Sequence, residues 1–225
     1  MSDALAPFVT AATFPGMRGI TAPIRPEAAA AELVVGDDSR TLDLASIFGR
    51  VAPLEVDLGC GDGSFLTELA AQNPERNFLG VEKLFGRVRS ACKKIARLEL
   101  SNARILRGEI PHTAEQLLPA GSVDVFHLLF PDPWPKRRHH VRRVFTTELL
   151  ASLARALTSG GLFRVATDDT DYFQEMTRVL ARVSFFQQHD DTAATALPST
   201  TFEKRFLERG LEIHRLVLRK VSEPT

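Results

Sequence analysis

From Leu54 onward the chain repeats one pattern five times: a short apolar run of strand length, a turn, then an amphipathic segment of helix length. Strands separated by helices cannot pair as hairpins, so the pattern demands a mostly parallel sheet with helices on both faces. The expected strands are Leu54–Leu58, Asn77–Glu82, Arg104–Arg107, Val123–Phe130 and Leu162–Ala166. Val123–Phe130 reads as the central one. Helices are expected from Ser64 to near Asn73-Pro74, from Gly86 to Leu100, over Ala114–Leu118, from Val144 to Thr158 with Gly160-Gly161 as its cap, and over Tyr172–Arg182. Two further strands, Ser184–Gln188 and Leu211–Arg219, flank a polar insert and bring the sheet to seven. Residues 1–45 read as a poorly ordered or loosely packed leader. Prolines 7, 15, 23 and 26 break helices there, and Ala28–Val35 alone suits a short one.

In a sheet of this kind, ligands bind beyond the carboxyl ends of the strands. Acids recur at all five of those ends: Asp57 and Asp62 after the first strand, then Glu82, Glu109, Asp132 and Asp168. Such an edge suits hydroxyls, amines or a cation. The first turn reads Gly59-Cys60-Gly61-Asp62-Gly63, and Ser64 stands where a dinucleotide fingerprint needs its third glycine. Flanking carboxylates would repel a pyrophosphate. S-adenosylmethionine, with its sulfonium, ammonium and ribose diol, fits better, and Glu82 is placed to accept from both ribose hydroxyls.

The formal charge is zero, 28 basic against 28 acidic residues, which at face value disfavours a nucleic-acid partner. The distribution reverses that inference. Residues 1–80 hold five basic and eleven acidic side chains, whereas residues 81–160 hold fourteen and seven. Lys136, Arg137, Arg138, His139, His140, Arg142 and Arg143 crowd one short stretch, suited to phosphate contacts that give affinity and orientation. Arg87, Arg89, Lys93, Lys94 and Arg97 either extend that surface or form an ordinary solvated helix face. Adjacent histidines among cations make poor metal ligands, and no metal is expected. Two cysteines, Cys60 and Cys92, offer no disulfide framework. No apolar run spans a membrane and no secretory signal opens the chain, so a cytoplasmic protein is expected.

The segments Val56-Asp57-Leu58-Gly59-Cys60-Gly61, Phe78-Leu79-Gly80-Val81-Glu82 and Phe130-Pro131-Asp132-Pro133-Trp134-Pro135-Lys136 resemble the tRNA (guanine-N7-)-methyltransferase family. Arg138-His139, Arg142-Arg143, Ala166-Thr167-Asp168 and Thr200-Thr201-Phe202-Glu203 extend the likeness, which runs from about residue 54 to 205. The resemblance implies a Rossmann-like class I methyltransferase fold over residues 46–225. It also implies methyl transfer from S-adenosylmethionine to N7 of a tRNA guanine, at variable-loop position 46. By the same resemblance Asp57, Gly59, Gly61, Glu82, Glu109 and Asp132 line the cofactor pocket, with Asp132 as the catalytic residue. Lys136, Asp168, Thr200, Thr201, Phe202 and Glu203 go to the substrate, and Arg137, Arg138, His139, Arg142 and Arg143 to the RNA backbone.

Guanine N7 carries no proton, so its methylation needs no general base, and Asp132 is assigned to positioning and charge stabilisation. Trp134 either stacks on a base or packs under its loop. Asp169 is expected to be solvated or to cap the next helix. The chain departs from the family pattern at Asp57, where a Glu is common, and at Phe206, where a Gly is usual. Three other readings share parts of this pattern: a methyltransferase with another acceptor, a non-catalytic tRNA-binding module, and a nicotinamide-dependent oxidoreductase. The missing third glycine weighs against the last. A monomer or homodimer is expected.

Overall fold

A computed structural model describes residues 31–34, 41–190 and 197–221, with the side chain of Thr201 outside the described set. It contains β1 (Glu32–Leu33), α1 (Leu44–Phe48), β2 (Leu54–Leu58), α2 (Ser64–Gln72), β3 (Asn77–Glu82), α3 (Phe85–Arg97) and β4 (Ala103–Arg107). These are followed by α4 (Ile110–His112), which runs into a π-helical turn at Thr113–Leu117, and by β5 (Val123–Leu129). A 3-10 turn at Arg137–Arg142 precedes α5 (Thr147–Ala156), β6 (Leu157–Thr167), α6 (Thr170–Leu180), β7 (Phe186–Gln188), α7 (Thr201–Glu208) and β8 (His214–Lys220).

The eight strands form one sheet in the order β1-β4-β3-β2-β5-β6-β8-β7. Pairing is parallel from β1 through β6 and antiparallel where β8 joins β6 and β7. After β2 the chain builds outward through β3 and β4, then returns to lay β5 on the other side of β2. That reversal opens a crevice at the carboxyl ends of β2 and β5, where sheets of this type take ligands.

Both faces of β2 and β3 are covered, as their unbroken burial shows. Strand alternation sorts their side chains. Val56, Leu58, Leu79 and Val81 join one core with α1, α5 and α6, while Phe78, Ala103 and Ile105 join another with α2 and α3. Asp57 and Glu82 therefore lie on the α2–α3 side. Burying a side chain such as Phe78 contributes on the order of 2–3 kcal/mol.

Several expectations change. The helix expected over Ala28–Val35 is a strand in its described part, because Glu32–Leu33 pairs with Ile105 and Leu106. The sheet accordingly has eight strands, not seven. Residues 1–30 and 35–40 of the expected leader lie outside the described residues. Gly160-Gly161 does not cap a helix. The helix ends at Ala156, and both glycines lie inside β6, where the register with β5 shifts. The polar insert contains α7, capped by Thr200, whose hydroxyl accepts from the Glu203 N–H at 2.9 Å. Among the described residues no helix is long and apolar enough to cross a membrane.

Candidate active site

The loop after β2 is shaped by its backbone. The Gly59 and Cys60 N–H groups both donate to the Val81 carbonyl, at 2.8 and 3.0 Å. Gly63 has φ +74°, and a Cβ there would lie 2.6 Å from that of Ala91 on α3, so only glycine fits. Glu82 braces the loop from β3. Its carboxylate accepts from the Gly61 N–H at 3.1 Å and the Leu84 N–H at 2.8 Å, with Arg87 3.7 Å away.

Beside it Asp57 is buried, and no hydrogen bond or ion pair to its carboxylate is found among the described residues. Burial, reinforced by the Glu82 charge, pushes Asp57 up to about 7. A buried carboxylate without a partner is a place for a cation or for donated hydrogen bonds. Burial, with Asp57 and Glu82 close by, also pushes the Cys60 thiol well above its ordinary value, so Cys60 is no nucleophile.

The loop after β5 is held differently. The Phe130 N–H donates to the Ala166 carbonyl on β6 at 2.7 Å. Phe130 and Trp134 both have positive φ, +54° and +46°, and bracket Pro131, Asp132 and Pro133. Two non-glycine residues in the left-handed region within five positions mark backbone strain, which functional sites retain and their surroundings must hold in place. Asp132 at the centre is exposed.

The two loops face one cavity of about 420 Å³. Asp57, Gly59, Gly61 and Ser64 line it on the β2 side, and Phe130 to Pro133 on the β5 side. Asp168 from the end of β6 completes it, with Thr200, Phe202, Arg205 and Phe206 from α7 and its cap. Phe206 lies 5.4 Å from the Phe130 ring and 6.2 Å from the Phe202 ring, giving the cavity an aromatic wall.

Residues 51–216 match the family described as "Putative methyltransferase". A tRNA (guanine-N(7)-)-methyltransferase of Chromobacterium violaceum is 37% identical over 183 residues, covering 80% of this chain and 81% of its own. The enzyme of that name from Halorhodospira halophila is also 37% identical, covering 79% of each chain. This chain belongs to the tRNA (guanine-N(7)-)-methyltransferase family. Among solved structures, the 16S rRNA methyltransferase KamB aligns with a TM-score of 0.56 over 84% of this chain and 99% of its own. At 19% identity that likeness is one of fold.

The family's motif positions fall in different places. Asp57, Gly59, Gly61, Asp132, Asp168, Thr200 and Phe202 reach the cavity. Glu82 stands behind it as the brace of the first loop. Glu109 is not among the cavity residues. It is exposed and lies 3.6 Å from Lys83 at the end of β4. Glu203, in the first turn of α7, is not among the cavity residues and accepts from Arg215 instead. Asp169 caps α6, accepting from the Tyr172 N–H at 2.7 Å.

Lys136, Arg137, Arg138 and Arg142 are exposed around the 3-10 turn, and His139 is partly so. Arg143, expected beside them on the RNA surface, is instead buried, with only 2% of its side chain accessible. Its partners occupy it fully: the Pro133 carbonyl, Asp171 and Glu175. Trp134 neither stands free nor enters the core. The Arg142 guanidinium lies 4.8 Å from its ring centroid and His139 packs against its edge. The basic face of α3 is partly spent on acids, since Lys94 donates to Asp62 at 2.6 Å. Reading the sequence missed Arg205 and Phe65 as lining residues, because neither stands at a strand end.

Proposed function

We propose that the protein transfers a methyl group from S-adenosylmethionine to N7 of a guanine in tRNA, in the variable loop, and that it works in the cytoplasm where that substrate is found. The observation that carries this reading is the cavity itself. One end offers a buried carboxylate with no partner among the described residues, the other the strained Asp132 loop, and exposed cations begin four residues beyond Asp132.

When bound, S-adenosylmethionine supplies a methyl carbon activated by the adjoining sulfonium. Asp57 suits its cationic end, because a positive charge nearby relieves the cost of ionising a buried carboxyl. Glu82 and the glycine loop it braces suit the ribose. Phe202 and Phe206 offer ring faces to a guanine taken out of its stack, and base–aromatic stacking is worth about 1–3 kcal/mol. N7 carries a lone pair and no proton, so no side chain has to act as a base. Asp132 then works by orienting the guanine edge and by stabilising the positive charge that the ring acquires. Lys136, Arg137, Arg138 and Arg142 grip tRNA phosphates.

Incubation with methyl-labelled S-adenosylmethionine and unmodified tRNA, followed by nucleoside mapping, tests the reading. Label in 7-methylguanosine is expected. Label in another nucleoside, or none, would overturn it.

A further inference from the structure

Arg143 directly follows the exposed Arg142, yet it is buried away from any phosphate and makes more contacts than any of the exposed cations. Its Nε donates to the Pro133 carbonyl at 2.7 Å, one residue from Asp132. One guanidinium nitrogen donates to Asp171 at 2.8 Å and another to Glu175, both on α6. The guanidinium plane lies 4.7 Å from the ring centroid of Tyr172 on the same helix. Tyr172 in turn accepts from the Phe145 N–H at 3.1 Å, closing the chain segment behind the loop.

His140, Asp171 and Glu175 come close enough together to suggest a cation site. Both carboxylates, however, already accept from Arg143, so the guanidinium is their cation. What the arrangement holds is the strained turn between Phe130 and Trp134.

Resting on the function proposed above, we propose that Arg143 is a positioning residue: it clamps the Pro133 carbonyl to α6 and thereby fixes Asp132 in the cavity. Only an arginine has donors enough to serve a carbonyl and two carboxylates from one rigid plane. A lysine keeps the charge but lacks that fork. The clamp thus separates a positional role from a phosphate contact, which Lys would restore.

The test uses the full chain carrying Arg143→Lys, Asp171→Asn or Glu175→Gln. Two readouts are taken: the single-turnover methyl-transfer rate at saturating tRNA, and acrylamide quenching of Trp134, the sole tryptophan, which adjoins Pro133. Asp171 is 65% exposed, so its variant is expected to fold even if Arg143→Lys does not. The clamp predicts a rate loss approaching the order of a hundredfold for Arg143→Lys, the scale of a 1 Å misplacement. Smaller losses are expected for the two acid variants, with tRNA affinity unchanged or tighter in both and Trp134 quenching raised in all three.

Unchanged quenching overturns the clamp whatever the rate, and so does an unchanged rate at saturating tRNA. Wild-type rate, quenching and salt-dependent tRNA binding in Arg143→Lys, which keeps the charge a phosphate contact needs, would make Arg143 a phosphate contact instead. If the wild-type protein methylates no tRNA, the function reading fails by itself. Trp134 quenching, which needs no tRNA, then decides the clamp.

Discussion

The loop after β2 turns on glycines, the last of them packed against α3, whereas the loop after β5 turns on prolines, one of them held through its carbonyl by an arginine from further along the chain. In the first, the missing Cβ of Gly63 lets α3 approach, and Glu82 ties two backbone N–H groups. In the second, strained φ angles at Phe130 and Trp134 persist because Arg143 and β6 hold the chain. The first loop suits a small cationic ligand bound by buried acids. The second presents one exposed carboxylate to a large anionic substrate arriving over exposed cations. Damage to the two should therefore appear in different measurements.

The largest expected effect lies at the second loop. Asp132→Ala should lower turnover at saturating substrates on the order of a hundredfold, with cofactor affinity by titration calorimetry close to wild type. A variant with full turnover would remove Asp132 from the chemistry.

Glu82→Ala should break the first loop in the complementary way. Two N–H groups lose a charged acceptor, each such bond being worth about 1.5–3 kcal/mol. Cofactor affinity should fall on the order of thirtyfold or more, with a lower melting temperature. Equal losses of cofactor and tRNA affinity would contradict the division between the loops.

The pH dependence of the first loop follows from Asp57. Its carboxyl is raised above its ordinary value to about 7 by burial and by the Glu82 charge. Its contribution to stability is thus present below the ordinary carboxylate range and lost as pH rises to about 7. A bound cation favours the ionised form. Cofactor affinity should accordingly rise with pH up to about 7, at most about tenfold per pH unit, and then level off. Asp57→Asn should flatten both curves, and a pH dependence surviving in that variant would assign it to another group.

Arg138→Ala should give the smallest change. A few-fold weaker tRNA binding is expected, with the salt dependence reduced by about one unit and cofactor affinity untouched.

The two loops also differ in how far they could be read from the sequence. The strand Asn77–Glu82 and the glycine turn after Leu58 are local patterns, and the fold realises both where the pattern put them. Gly160-Gly161 misled because a glycine pair after a helix looks the same whether it caps that helix or kinks a strand. The two-residue β1 has no periodicity to find. Helix α7 hid in a polar insert, although Thr200 and Glu203 carry the spacing of a capping box. Arg143 looked like one more surface cation because the acids that bury it lie 28 and 32 residues away. The Asp132 motif itself was visible, but what holds it was not.

The proposed chemistry needs the cavity to bring a guanine N7 to an activated methyl group without a base. The most direct test is methylation of two tRNAs differing only in the variable loop, one with guanine and one with 7-deazaguanine, which has carbon in place of N7. Transfer to the first as 7-methylguanosine and none to the second is predicted. Equal labelling of both would contradict the account.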